Sequence, residues 1–518
     1  MDPVSVGILS ILPPVIAVTL ALITKEVFSS LLLGILSGTL IYTLKTDGNV
    51  LIDPFTTTIK VMGQKFDLNI VLFCSLLGAL VYVIYLAGGA KAYGNFATTK
   101  IKNRRSALFS TSSLGVFLFI DDYFNCLTVG TVMRPITDKY RISRAKLAYI
   151  IDATAAPICI IAPISSWAAA VGSNLKSTNA FDSEFSAFVA AIPWNFYALL
   201  SILLVILVCA FNVDFGPMLK HEQQAIKNEA PEKMVNTENS DDSKVMGNGN
   251  MWDMILPMIA LIFICVMAML YLGGYYGNDP AYHTVGAAFG NTDSSLSLVL
   301  GSFGALVVAF FMMVSRRVLT LKQFMDGVLR GVQAMIPANM ILTFAWTISG
   351  VTRDLLQAPE FISGIVQNDF ALMGAILPAA VFIIAGFLSF STGTAWGTFG
   401  ILIPIMVMVA QAIAPDSHEL LIITLSATLA GSVFGDHCSP ISDTTVLSSA
   451  GSGCVHIDHV YTQLPYAILV AVCTFFGYIV AGLTKSLALS LGTSVVMLLA
   501  TVIFLHLRQI RKNSKVVF

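Results

Sequence analysis

The chain has 518 residues, 56% of them hydrophobic and only 11% charged, with a mean hydropathy of +0.80. A soluble domain carries about a quarter charged residues, so this composition excludes one and calls for an all-α polytopic membrane protein. The formal net charge of −1 offers no basic surface for nucleic acid, and the positions of the charges carry more information than their sum.

The N-terminal MDPVSVG lacks a basic leader region and the apolar run after it lacks a small-residue cleavage site, so the first segment is expected to be a retained span. Apolar runs of about 20 residues, enough to cross a bilayer, follow one another at 4–24, 26–44, 68–90, 146–172, 187–212, 252–274, 295–315, 330–351, 420–446, 460–484 and 486–507, eleven candidate spans. Two further apolar stretches with polar centres, 106–133 and 371–411, do not fit as simple spans. Residues 214–250 are hydrophilic, with no aromatic after Phe215, and read as a flexible cytoplasmic linker. The chain thus divides into a first half (1–213), the linker (214–250), a second half (251–484) and an extra span with a basic tail (485–518).

Basic loops stay cytoplasmic. Lys91, Lys100, Lys102, Arg104 and Arg105 precede 106–133, and Arg134, Lys139, Arg141, Arg144 and Lys146 follow it, so both ends lie inside and the stretch is expected to be a re-entrant hairpin with its tip near FIDDYFN. The alternation then puts the linker, Arg316, Arg317, Lys322 and the C-terminal RQIRKNSK inside and the N-terminus outside. Between Arg353 and Lys485 there is no Lys or Arg, and 371–411 is flanked by Asp354, Glu360, Asp369, Asp416, His418 and Glu419, so the second hairpin is expected to open from outside. Two halves of opposite orientation make an inverted repeat. Its trace survives in FLFIDD (117–122) against FLSFST (387–392) and in APISSW (162–167) against SPISDT (439–444).

Inverted repeats with interrupted helices build secondary transporters, whose sites form at the midplane where the interruptions meet. The first hairpin tip supplies Asp121, Asp122, Asn125 and Thr128, and the second supplies Ser391, Thr392 and Thr394, with Gly393 and Gly397 allowing a turn. The first broken helix, 146–172, contains Pro157 and Pro163 and offers Asp152, Ser165 and Ser166. The second, 420–446, is interrupted at GDHCSPISDTT by Gly435 and Pro440 and offers Asp436, His437, Ser439, Ser442, Asp443 and Thr444. Unwound backbone at membrane depth needs protein or a water-filled cavity around it, so each break implies a cavity.

An unpaired charged carboxylate near the bilayer centre costs at least about 2.5–3.5 kcal/mol, so five independent ones would cost roughly 12–17 kcal/mol. That exceeds what a stability of about 5–15 kcal/mol can carry. Cations, protons or basic partners must compensate, and no Lys or Arg lies in the four interrupted elements. Carboxylates with hydroxyl and carbonyl oxygens are hard ligands suited to Na⁺, expected at Asp121, Asp122, Asp436 and Asp443. A buried carboxylate also takes up a proton when the cation leaves, and that competition is the simplest machinery for antiport. Aspartates at these positions also suit helix capping, and Asp152 also suits an interhelical hydrogen bond.

His437, Cys438, Cys454, His456 and His459 invite a zinc reading, but adjacent His437 and Cys438 lack the usual ligand spacing, so no transition metal is expected. His437 suits a proton carrier or a structural hydrogen bond. The other six cysteines sit in apolar runs, so no disulfide framework is expected.

The runs IDDYFNCLTVGTVMRPITDKYRISRAKLAYIIDATAAPICIIAPISSW (120–167) and GDHCSPISDTTVLSSAGSGCVHIDHVYTQLPYA (435–467) resemble the signature regions of the NhaC-type Na⁺/H⁺ antiporter family of the ion-transporter superfamily. The resemblance implies a plasma-membrane (inner-membrane) antiporter, not an enzyme, carrying Na⁺ and H⁺ without a cofactor. It also implies a homodimeric elevator with scaffold and transport domains. The same broad family includes Na⁺-coupled exchange of small organic acids and amino acids, so a small organic solute stands as the alternative cargo.

Overall fold

The computed structural model describes residues 1–518 except 25, 90, 91, 93–95, 97–100, 182, 228–246, 359, 362–370, 416, 441 and 515–518. Its helices in the first half are α1 (Leu12–Thr24), α2 (Val27–Lys45), α3 (Asp53–Lys65), α4 (Leu68–Ala87), α5 (Arg104–Phe117), α6 (Asp122–Lys139), α7 (Arg144–Ala153), the single turn α8 (Ala156–Cys159), α9 (Ser166–Lys176), α10 (Glu184–Ala191) and α11 (Phe196–Phe211). Next come α12 (Met218–Lys227), α13 (Trp252–Leu272), α14 (Val285–Asn291), α15 (Ser294–Ser315), α16 (Leu321–Ala334) and α17 (Ile336–Gly350). The chain ends with α18 (Ala371–Thr392), α19 (Ala395–Ile413), α20 (His418–Cys438), α21 (Asp443–Ser452), α22 (His456–Thr484) and α23 (Leu487–Ser514).

Ten helical stretches among the described residues are long and apolar enough to cross a membrane, or up to eleven when the bent pair Glu184–Trp194 and Phe196–Phe211 counts as one span. The chain is an integral membrane protein. Large apolar side chains are exposed on the outer faces of the helices, including Phe263, Tyr271, Phe311 and Phe504. The stretch 106–133 becomes α5 and α6, which pack together across the short segment 118–121. The stretch 371–411 becomes α18 and α19, turning at Gly393 with φ +70°, and each of these two helices is long enough to span by itself.

Two local expectations change. Gly435 does not interrupt a helix; it lies inside α20. A Cβ there would sit 2.1 Å from the Gly386 carbonyl oxygen, so this glycine exists for the close approach of α20 to α18. The interruption falls one turn later, where Pro440 cannot donate to the helix and Ser439 turns to extended backbone. The linker expected to be flexible throughout begins as a docked helix: Glu222 of α12 is buried, bonds the Ser143 amide at 2.7 Å and pairs with Arg104 and, at 3.5 Å, with Lys146. Lys146, itself fully buried, also pairs with Asp214 at 2.9 Å. Losing one partner of such a buried network costs about 3–5 kcal/mol, which anchors the start of α7. The linker's centre, 228–246, and the flanks of the two hairpins at Lys91, Lys100, Asp369 and Asp416 lie outside the described residues.

The helices of the centre begin on side-chain caps, each worth about 1 kcal/mol. Ser143 caps α7, Ser165 caps α9, Thr394 caps α19 and Ser442 caps α21. The two halves meet where α6 crosses α21: a Cβ on Gly130 would lie 2.4 Å from the Gly451 carbonyl carbon. Small residues at this crossing let the acidic first helix pair approach the second broken region, as close membrane-helix packing requires.

Candidate functional site

Each break touches the hairpin of its own half. In the first, the Ser166 amide donates to the Ile120 carbonyl at 2.9 Å and its hydroxyl donates to Asp121 Oδ2 at 3.2 Å. Asn125 Nδ2 donates to the carbonyls of Gly115 (2.7 Å), Leu118 (3.3 Å) and Thr154 (3.0 Å), binding up carbonyls that the interrupted helices leave free. In the second, Ser439 donates to the Phe390 carbonyl and Ser389 to that of Ser432, both at 2.7 Å. The two halves then meet through side chains. Trp167 lies edge-on to Phe399 at 5.4 Å, Tyr123 donates to Asp443 at 3.0 Å, and Thr445 and Gln463 reach Asp152.

Asp121, Asp122, Asp152 and Asp436 are all buried, none more than 3% exposed. Asp122 stands within electrostatic reach of Asp121 and Asp436, and Asp436 of Asp152. Asp436 Oδ1 accepts the Ser442 hydroxyl at 2.9 Å and Oδ2 the Thr444 hydroxyl at 3.2 Å. The two hydroxyls lie 3.0 Å apart. Asp152 Oδ2 accepts from Gln463 Nε2 at 2.6 Å and from Thr445 at 3.3 Å, with His459 Nε2 at 3.8 Å and His437 Nε2 at 4.0 Å. Tyr197 fixes His437 through Nδ1 at 2.9 Å. Asp152 Oδ1, His437 Nε2 and Asn125 Oδ1 are buried with no hydrogen-bond partner in the structure, and a bound ion, water or proton is one way such groups are satisfied.

The remaining candidates are less central. Asp443 opens α21 on its exposed side, within electrostatic reach of Asp436 and hydrogen-bonded to Tyr123. Ser165 caps α9 and bonds the Cys159 carbonyl, Thr394 caps α19, and Thr392 bonds back to Leu388. Thr128 is buried on α6 and Ser391 is half-buried at the end of α18. Gln463 and Tyr197 were not singled out from the sequence, and His459 was weighed there only as a zinc ligand. A signal for two of them existed, since His456, His459 and Gln463 recur at the i, i+3, i+7 spacing of one helix face. Among the described residues no group of three or more His, Cys, Asp or Glu is arranged to hold a metal ion; His437 and His459 are instead engaged in hydrogen bonds. All eight cysteines are free and buried.

Open space lies along α9, apart from the carboxylate cluster, none of whose aspartates lines it. A cavity of about 220 Å³ runs from Pro163 and Ala168, at the first break, along α9 to Lys176, Glu184 and Asp293. Lys176 pairs there with Asp67 at 3.3 Å.

A helical membrane chain with interrupted helices and converging buried carboxylates defines a transporter, not an enzyme. The chain belongs to the Na⁺/H⁺ antiporter family, whose model matches residues 159–483. It is 39% identical to an uncharacterised protein of Haemophilus influenzae over 492 residues, covering 93% of this chain and 92% of that one. It is 27% identical over 215 residues to the malate-2H⁺/Na⁺-lactate antiporter of Bacillus subtilis, covering 37% of this chain and 43% of that one. Among solved structures it shares the fold of the YdaH transporter of Alcanivorax borkumensis, with a TM-score of 0.55 at 13% identity, covering 87% of this chain and 88% of that one. The chain is thus a Na⁺-coupled antiporter in general terms.

Proposed function

We propose that the chain exchanges Na⁺ for H⁺, with Na⁺ held by Asp436, Ser442 and Thr444, with Asp121 and Asp122 adding negative charge from beyond ligand distance, and with the counter-transported proton carried on Asp152. The observation that carries this reading is the setting of Asp436: a carboxylate with 3% exposure, hydroxyls on both oxygens, and further buried carboxylates within electrostatic reach. Several ionised carboxylates in such an interior require a compensating cation. Each hydroxyl that donates to Asp436 has lone pairs to turn toward Na⁺ when the cation enters. Asp152 has two imidazoles within 4.0 Å, which exchange protons, besides the Gln463 amide and the Thr445 hydroxyl that bond it. On this reading α5–α6 and α18–α19 are opposed hairpins of an inverted repeat, moving against a scaffold in a homodimeric elevator. The N-terminus lies outside and the linker and C-terminus are cytoplasmic, in the inner membrane.

The test is Asp436→Asn in proteoliposomes. Na⁺-driven proton flux is expected to fall at least about 100-fold with folding and insertion intact. Flux within a few-fold of wild type would remove Asp436 from the site.

A second reading adds an organic carboxylate to the cargo. It is supported by the cavity at the first break with Lys176 in its wall, and by the relative from Bacillus subtilis whose name includes malate and lactate. Counterflow of labelled dicarboxylates, lactate and amino acids into Na⁺-loaded vesicles separates the two, since simple Na⁺/H⁺ exchange is accelerated by none of them.

A further inference from the structure

Asp152 is linked toward one membrane face by side chains that the proposed Na⁺ site does not use. His459, fully buried on α22, places Nε2 2.8 Å from Gln463 Oε1 and 3.8 Å from Asp152 Oδ2. Its Nδ1 lies 2.9 Å from Ser449 Oγ. Ser449 Oγ lies in turn 3.1 Å from Nδ1 of His456, a partly exposed residue in the first turn of α22. The turn that precedes α22 is basic: Arg144 donates to the Gly453 carbonyl at 3.2 Å, and Arg134 stands beside the same glycine.

The shortest hydrogen bonds point to where the protons rest. His456 Nε2 faces the Pro440 carbonyl at 2.6 Å, and a carbonyl only accepts, so this nitrogen is protonated and neutral His456 shows a bare Nδ1 to Ser449. Gln463 spends its amide hydrogens on Asp152 and on the His437 carbonyl, so its Oε1 accepts from His459 Nε2–H. Neutral His459 in this tautomer also shows a bare Nδ1 to Ser449; the same nitrogen lies 3.3 Å from the Thr445 carbonyl, the acceptor it uses once protonated. Two bare imidazole nitrogens face one hydroxyl, whose single proton otherwise rests on the Thr445 carbonyl at 2.7 Å. That arrangement has room for one more proton, and it conducts when one arrives.

We propose that His456, Ser449 and His459 form the path by which protons pass between solution on the Arg134–Arg144 face and Asp152. This rests on the reading of Asp152 as the proton site. A proton taken up at His456 Nδ1 leaves it as Ser449 Oγ gains a hydrogen. The original Ser449 hydrogen moves to His459 Nδ1, and the hydrogen on His459 Nε2 moves to Asp152 Oδ2. One proton crosses, no electrons move, and His459 is left as its Nδ1–H tautomer. The last transfer has to close 3.8 Å, which a rotation of Gln463 off the shared oxygen allows. The titratable groups around His459 are Asp152 from α7, His437 from α20, and His456 with Cys454 at the start of its own helix; α21 contributes Ser449 and Thr445. Asp458, two residues beyond His456, stands within electrostatic reach of His221 of α12.

The experiment uses the full chain in proteoliposomes and records two fluxes, Na⁺-driven proton movement and exchange of labelled for unlabelled Na⁺, which needs no proton. Ser449→Ala is expected to slow the proton flux about tenfold or more while Na⁺/Na⁺ exchange stays within about twofold, because a positioned proton donor is lost and no charge is changed. Ser449→Thr, which keeps the hydroxyl, restores the flux. His459→Gln behaves as Ser449→Ala. Imidazole in the buffer rescues His456→Gln but not Ser449→Ala, because only the outer nitrogen is reached from solution. Proton flux in Ser449→Ala within about twofold of wild type, equal loss of both fluxes, or failure of imidazole to rescue His456→Gln overturns the path. Wild-type protein that exchanges Na⁺ but moves no protons overturns the assignment of Asp152 along with it.

Discussion

Asp436 and Asp152 face the same interior from opposite halves of the chain, and their surroundings differ in kind. Asp436 holds the hydroxyls of Ser442 and Thr444 on its two oxygens. Asp152 concentrates its contacts on one oxygen, with an amide, a hydroxyl and two nearby imidazoles, and leaves Oδ1 unbonded. A hydroxyl can exchange its role from donor to ligand by rotating about one bond, whereas an amide or imidazole N–H offers a cation nothing. The difference teaches a division of labour: one carboxylate is set between two hydroxyls that can turn to a cation, and the other beside two imidazoles that can carry protons.

The strongest way to break that division is to neutralise each carboxylate in turn. Asp436→Asn should lose both Na⁺-driven proton flux and Na⁺/Na⁺ exchange, by about 100-fold or more. Asp152→Asn should lose proton coupling to the same extent yet keep Na⁺/Na⁺ exchange within roughly threefold. The two variants behaving alike, measured in the same vesicles, would mean that both carboxylates serve one shared site.

A smaller effect sharpens the comparison on the Asp436 side. Ser442→Ala and Thr444→Val remove hydroxyl ligands without touching a charge. Each should raise the KM for Na⁺ by about tenfold or less, one hydrogen-bond-sized contribution of about 1 kcal/mol or somewhat more, with kcat nearly unchanged. The cap that Ser442 gives α21 adds about 1 kcal/mol to the cost in stability, so Ser442→Asn, which keeps a cap, separates the two. Proton competition sets the sign with pH: a carboxylate binds Na⁺ only when deprotonated, so KM for Na⁺ falls as pH rises, by up to about tenfold per unit for one competing proton. A KM independent of pH would mean that no proton competes for the Na⁺ carboxylate and that Asp152 alone carries it.

Much of this centre was legible in the sequence because its chemistry is costly in a membrane. Aspartates without basic neighbours, the prolines at 157, 163 and 440, and the repeated PIS pointed to the two breaks and to the hairpins they touch. What was not legible depended on rotation and approach. Gly435 reads as a helix breaker, yet its missing side chain serves the passage of Gly386. Thr445 and Gln463 are common residue types in polar stretches, and only the packing of α7 against α21 and α22 aims them at Asp152. The docking of α12 rests on Glu222 meeting Lys146 across 76 positions of sequence, which no local pattern announces.

Asp436 and Asp443 carry the finest form of the comparison, since the sequence gives them equal standing on either side of Pro440. Helical periodicity relates positions only along an unbroken helix, and the interruption between Cys438 and Asp443 removes the phase that would say which one turns inward. The structure supplies it: Asp436 is buried, while Asp443 is exposed in the first turn of α21 and accepts from Tyr123 at 3.0 Å. A carboxylate at that place favours the helix through the dipole, worth about 0.3–1 kcal/mol, and its hydrogen bond comes from Tyr123, outside the Na⁺ set. Asp443→Asn should therefore change the KM for Na⁺ and the proton flux by about threefold or less, in the same vesicles where Asp436→Asn is inactive. Inactivity of both variants would mean that Tyr123 and Asp443 close over the cluster when the hairpins move, and would bring Asp443 back into the site.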